Sequence, residues 1–184
     1  MSVKMSNIAE ELTRTILSIS EAQEEELVDM ILAAKRVFVA GIGRSGLMAK
    51  GFAMRLMHAG KQVYSVGEVI TPSIEEGDLL IVASGSGETV SLVNMTQQAL
   101  RVRAKVATLT IYPKATIGSM ASSIVWINAP TSKSQIDTGT VSIQPMGSLF
   151  EQSLLICMDH IIVKLMEKTG ITAEEMFERH ANLE

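Results

Sequence analysis

Two short apolar runs, at residues 36–40 and 78–83, each end in a glycine-rich turn that opens a helix-like stretch. The turns are Gly41-Ile42-Gly43-Arg44-Ser45-Gly46 and Ser84-Gly85-Ser86-Gly87-Glu88-Thr89. A strand that passes through a tight turn straight into a helix is half of a strand–helix–strand crossover, and such crossovers build parallel sheets covered on both faces. The turns also aim backbone N–H groups and a helix N-terminus at one point, where an anion such as phosphate is stabilised. The second turn holds three hydroxyls, on Ser84, Ser86 and Thr89, and no cation. Two such turns in one chain point to a small phosphorylated polyol.

The alternation continues around the turns. Residues 36–40, 62–66, 78–83, 105–110 and 123–127 read as strands, and 47–57 and 88–102 as helices. Upstream, Ile8, Leu12, Ile16 and Leu17 recur at helical spacing, as do Leu27, Met30, Ile31 and Leu32. The acidic residues at 21–26 suit the start of the second of these helices, where they complement its dipole. These two helices are spare apolar surface for a nucleotide-type fold, and packing against another subunit is their expected use. Downstream come a polar segment at 130–140, a long helix at 148–168 and a short acidic helix from 172. The 184 residues fit one domain, with helices at 1–35, an α/β core at 36–128, and a loop and C-terminal helices at 129–184. The expected architecture is an α/β three-layer sandwich around a five-stranded parallel sheet with right-handed crossovers. Ligands of such sheets gather at the carboxyl ends of the strands, where both turns fall.

Composition excludes several classes. A formal charge of −4 provides no overall cationic field for nucleic acid or an acidic membrane surface. Cys157 is the only cysteine, so one chain has no disulfide and no cysteine-based metal site. No run of about 18 apolar residues is present, and the first residues lack the apolar core of a signal peptide. A soluble cytoplasmic protein is expected.

Gly41-x-Gly43-x-x-Gly46 also matches the dinucleotide-binding fingerprint, and Glu68 follows the next strand where a ribose-binding acid would stand. Three features oppose that reading: no second domain brings a redox substrate, two helices precede the fingerprint strand, and a second anion-type turn has no purpose there. The Lys-Ser/Thr pair of an ATP-binding loop is missing from the second turn. Within the first turn, Arg44 offers an always-charged planar fork to a phosphate or enolate oxygen, with a surface ion pair as the alternative. Ser45 sits where a hydroxyl caps the following helix or meets a sugar hydroxyl. A plain capped turn is the alternative for 84–89.

Four segments carry a resemblance: Arg44-Ser45-Gly46-Leu47-Met48-Ala49-Lys50, the 84–89 turn, Ile143-Gln144-Pro145-Met146-Gly147-Ser148-Leu149-Phe150-Glu151, and the ending Met176-Phe177-Glu178-Arg179-His180-Ala181-Asn182-Leu183-Glu184. Together they resemble the sugar isomerase (SIS) domain family, flavodoxin-like in fold, and within it the 6-phospho-3-hexuloisomerases. The likeness runs over nearly the whole chain. It implies conversion of D-arabino-hex-3-ulose 6-phosphate to fructose 6-phosphate, in the ribulose monophosphate route of formaldehyde fixation. It also implies no metal or other cofactor, and a homo-oligomer, tetramer or dimer, with sites near subunit boundaries. Other isomerases of pentose or amino-sugar phosphates, and phosphosugar sensors without turnover, share the fold.

The resemblance makes Glu151 the base, whereas position alone would make it an ordinary first-turn glutamate matching the helix dipole. Substrate binding falls to Gly43, Arg44, Ser45, Ser84, Gly85, Ser86, Gly87, Glu88 and Thr89. SIS isomerases often take a ring-opening histidine from a neighbouring subunit, a role that implicates His180. A 3-ketose esterified at O6 cannot close a five-membered ring, so ring opening concerns only fructose 6-phosphate; His180 can also move a proton between O2 and O3. His58 and His160 read as packing or solvent-edge residues within helices. The 130–140 segment with Lys133 reads as a solvated loop or a lid.

Overall fold

The computed structural model describes residues 3–131 and 141–183. All five expected strands form: β1 (Val37–Gly41), β2 (Val63–Ser65), β3 (Leu79–Ala83), β4 (Lys105–Thr110) and β5 (Ser123–Trp126). They pair in parallel in the order β2-β1-β3-β4-β5. Alternation along the apolar runs sorts the side chains into two cores. Val37, Val39, Leu79 and Ile81 face one core, with helices α2 (Glu21–Ala33), α3 (Gly43–His58) and α6 (Ser148–Thr169). Phe38, Ala40, Leu80 and Val82 face the other, with α4 (Val90–Arg101) and α5 (Thr116–Met120). Each fully buried Leu, Ile or Phe contributes about 1.5–3 kcal/mol, so both faces hold the sheet.

The strand order creates the functional crevice. From β1 the chain steps outward to β2, then returns across β1 to start β3. The helices after β1 and β3 therefore leave on opposite faces, and a cleft opens at the strand ends between them. Gly41 and Ala83 are partners in the β1–β3 ladder, so the two glycine turns begin side by side.

The first turn is drawn tight by a backbone contact. A Cβ on Gly46 would lie 2.6 Å from the Gly41 carbonyl oxygen, and one on Gly41 would lie 2.9 Å from Gly46 Cα. The helix consequently starts at Gly43, four residues before the expected position, with Ile42 as its N-cap. Ser45 lies inside the first helical turn and makes no cap, which corrects that reading; the positive φ of 61° at Gly43 lets the helix begin early. In the second turn, Thr89 is the N-cap of α4. Helix α5 has no counterpart in the sequence reading, because five residues are too few to display a period.

Helix α2 is not spare surface, whereas the helix before it keeps Met5 and Leu17 exposed. Leu27, Val28 and Ile31 of α2 are fully buried in the chain's own core, and α2 packs on α6. Between these two helices, Glu24 is 3.0 Å from His160 Nδ1, and Lys168 Nζ donates to Asp29 at 2.6 Å. Helix α1 (Met5–Leu17) carries the buried Glu11, which accepts hydrogen bonds from Ser142 Oγ (3.0 Å), the Ile143 N–H (3.0 Å) and Gln144 Nε2 (3.1 Å). Glu11 thereby fixes the segment that leads into α6. Lys133 and the rest of 132–140 lie outside the described residues. Helix α7 (Ala173–Glu178) begins with a capping box between Thr172 and Glu175.

Candidate active site

A cavity of about 970 Å³ opens at the carboxyl ends of the strands. Its walls are Ser45 of α3, Gly85, Ser86 and Glu88 of the second turn, residues 111–115 after β4, Trp126 of β5, and Met146, Gly147, Phe150 and Glu151 at the start of α6.

The second turn is stitched from within and from one side. Ser84, 4% exposed, accepts from the Gly87 N–H at 3.2 Å, and Ser86 Oγ accepts from the Glu88 N–H at 3.2 Å. The Gly85 carbonyl accepts from the Ile111 N–H (3.2 Å) and Thr110 Oγ1 (3.3 Å), and the Gly87 carbonyl from the Ile117 N–H (3.0 Å). The carbonyls are thus turned toward the chain after β4. Among the described residues the amides of Ser86 and Thr89 meet no acceptor. Free amides, an exposed serine hydroxyl and the start of α4 together suit an anion. Gly87 holds φ of 65°, a conformation glycine takes without strain. Ser86, Gly85 and Glu88 line the cavity, whereas Ser84, Gly87 and Thr89 shape the turn behind it.

Glu151 projects from the first turn of α6 with its side chain 18% exposed. Arg44 Nη1 donates to Glu151 Oε2 at 2.9 Å and to Ser148 Oγ at 3.3 Å. This contact brings the first turn and the candidate base together. Gly147 leaves room beside the carboxylate, since a Cβ there would come 3.5 Å from Oε1. Just before it, Met146 holds φ of 57°, an uncommon conformation for a residue with a side chain and one that concentrates at functional sites. Glu88 directs both carboxylate oxygens at Thr116, and the backbone and hydroxyl bonds it receives hold its carboxyl below the ordinary range.

His180 stands apart. Its ring stacks on His58 at 5.4 Å and on Phe177 at 6.0 Å, while Arg179 Nη1 donates to the His58 carbonyl at 3.0 Å. His58 ends α3 and Arg44 begins it, a span of roughly 20 Å at 1.5 Å per residue. One chain therefore does not bring His180 to Glu151. Burial, with Arg55 and His180 nearby, pushes the His58 imidazole below its ordinary value.

Sequence reasoning missed Tyr112, Lys114 and Trp126 in the cavity wall. The Tyr112 hydroxyl is buried without a partner among the described residues. All three follow or end strands β4 and β5, so the strand-end rule that located the glycine turns also pointed to them. Glu68, the acid of the dinucleotide reading, is exposed and paired with Lys50 at 2.6 Å, which lowers its pKa. Among the described residues no three His, Cys, Asp or Glu side chains converge to hold a metal ion, and no helix is long and apolar enough to cross a membrane. Cys157 is buried; that burial and the Glu24 carboxylate push its thiol pKa up.

The SIS domain family matches residues 30–156. The chain is 50% identical over 181 residues to the 3-hexulose-6-phosphate isomerase of Bacillus subtilis (strain 168), covering 98% of this chain and 97% of that protein. It is 40% identical over 181 residues to the 3-hexulose-6-phosphate isomerase of Mycobacterium gastri, covering 98% and 89% of the two chains. Among solved structures, a Methanococcus jannaschii protein whose crystal structure infers a function of 3-hexulose-6-phosphate isomerase superposes with a TM-score of 0.82 at 31% identity, covering 98% of each chain.

Proposed function

Because the chain belongs to the SIS domain family and is an isomerase, we propose that it interconverts D-arabino-hex-3-ulose 6-phosphate and D-fructose 6-phosphate through an enediol. The observation that carries this reading is the Arg44-held carboxylate of Glu151, facing a cavity whose other wall is the hydroxyl-rich 84–89 turn.

In the proposed reaction the phosphate sits on Ser86 and the amides of the second turn, with Ser84 and Thr89 keeping that turn in shape. Ser45 lines the sugar end, where Gly43 keeps the helix start close. Glu151 removes the proton on C2, and the C2–H electron pair becomes the C2–C3 double bond as the C3 carbonyl oxygen gains charge. Arg44 and Ser148 orient the carboxylate, and Arg44 steadies the enediolate. A proton passes from O2 to O3, and Glu151 returns its proton to C3, leaving the carbonyl at C2. One carboxylate serves both carbons of this exchange because it takes and returns a proton from one side of a planar intermediate. His180 of a neighbouring copy is the proposed carrier of the O2-to-O3 proton and the ring-opening group for fructose 6-phosphate. The proposed setting is a cytoplasmic homo-oligomer, tetramer or dimer, in the ribulose monophosphate route.

Glu151→Gln tests the reading. Turnover of the hexulose phosphate should fall by about 10²–10⁴, while binding persists. Binding is read from the fluorescence of Trp126, the single tryptophan, which lines the cavity. Full activity in this variant removes Glu151 from the mechanism. Faster turnover of a pentose or amino-sugar phosphate by the wild type would replace the substrate and leave the isomerase.

A further inference from the structure

Glu88 lines the cavity from the second turn, where an acidic side chain invites the role of sugar ligand. Both of its oxygens are already committed. Oε1 accepts from the Thr116 N–H at 2.7 Å and Oε2 from the Thr116 hydroxyl at 2.7 Å. Thr116 opens α5, and residues 112–115 just before it are the cavity wall beside the turn. The same junction is closed by the Ile117 N–H to Gly87 carbonyl bond at 3.0 Å. It is also tightly packed, for a Cβ on Gly87 would come 2.7 Å from Ala115 Cβ. A five-residue helix does not stand alone, since nucleating one turn costs more than its few bonds return. Its start is held here by a carboxylate from another loop. Glu88 stays ionised, but a carboxylate held by two donors and turned toward Thr116 repels a neighbouring phosphate dianion less than an unengaged one would.

We infer that Glu88 is a positioning residue: it does not bind the sugar but clamps the start of α5 to the phosphate turn, fixing the width of the cavity between Ser86 and residues 112–115. This rests on the phosphosugar reading above only for its kinetic test.

Glu88 is exposed, so its variants should fold. Glu88→Ala should raise KM about tenfold with a smaller fall in kcat, because the bonds lost are charge-assisted but act through the wall. Thr116→Ala should raise KM in the same direction by less, and the double variant should be no worse than Glu88→Ala. Glu88→Gln, which keeps an acceptor for the Thr116 amide, should recover most of the loss. Wild-type KM in Thr116→Ala, together with Glu88→Gln as poor as Glu88→Ala, would make Glu88 a sugar ligand and overturn the inference. Amide hydrogen exchange of residues 112–120 reads the clamp without substrate. Faster exchange in Glu88→Ala supports it, and unchanged exchange overturns it, even where the wild type turns over none of the phosphosugars and the functional reading itself has failed.

Discussion

At Gly46 a hydrogen atom stands where any other residue would place a Cβ 2.6 Å from the Gly41 carbonyl oxygen. Neither backbone has room to retreat, because β1 is locked between two neighbours and α3 is packed on α6. Gly46→Ala should therefore cost about 1–3 kcal/mol in urea unfolding, as overpacking does. Gly51, in the middle of the same helix, meets nothing within 4 Å of an added Cβ, and Gly51→Ala should stabilise by about 0.5–1 kcal/mol. The glycine spacing at 41, 43 and 46 was legible in the sequence as a strand-to-helix turn suited to an anion, whereas the packing of Gly46 against Gly41 came only from the fold. Glu88 was not legible as a clamp. Its partner Thr116 is 28 residues away, in a helix too short to show a period. Arg44 was read as a ligand or a surface ion pair, and the structure gives the pair a partner, Glu151, 107 residues downstream.

Among the elements, β3 enters the sheet through an ion pair between the buried Asp78 and the half-buried Arg36. Arg36 Nη2 and Nε donate to Asp78 at 2.6 and 3.0 Å, and the Glu75 N–H donates to Asp78 Oδ2 at 2.8 Å. Burial alone would raise the Asp78 pKa, but the Arg36 bonds and the Glu75 amide outweigh it, and the carboxyl sits below its ordinary value. A depressed carboxylate contributes stability above its unfolded pKa of about 3.9 and loses it as pH falls through the lower folded value. Asp78→Asn should flatten the acid limb of a stability profile below about pH 4, measured by urea midpoints from pH 2 to 7; an unchanged limb would assign acid sensitivity to other groups. The elements themselves were largely readable, since buried parallel strands appear as unbroken apolar runs. The placement of α1 and α2 was not readable. An apolar stripe shows that a helix packs, and only the fold shows that α2 packs on the chain's own α6.

For the whole molecule, the distance along α3 decides how a site is completed. Glu151 and Arg44 lie at one end of that helix, and His180 stacks on His58 at the other. If His180 acts on the reaction, it does so at another copy's cavity. Glu151→Gln and Glu151-intact His180→Ala chains, each impaired alone, should regain activity when dissociated and reassembled together, because hybrids place an intact Glu151 opposite an intact His180. Hybrids with no gain would remove His180 from the reaction, since one chain does not bring it to Glu151. A five-stranded parallel sheet followed from alternation in the sequence, whereas the strand order and this separation come only from the fold. Glu11 has a longer reach than its place in the chain suggests. Its carboxylate, near the amino end, waits for donors 131 to 133 positions later before it is satisfied. During synthesis the first helix has no seat until nearly everything else is made, and any fusion or trimming at that end that unseats it should be felt at the start of α6, where Glu151 stands.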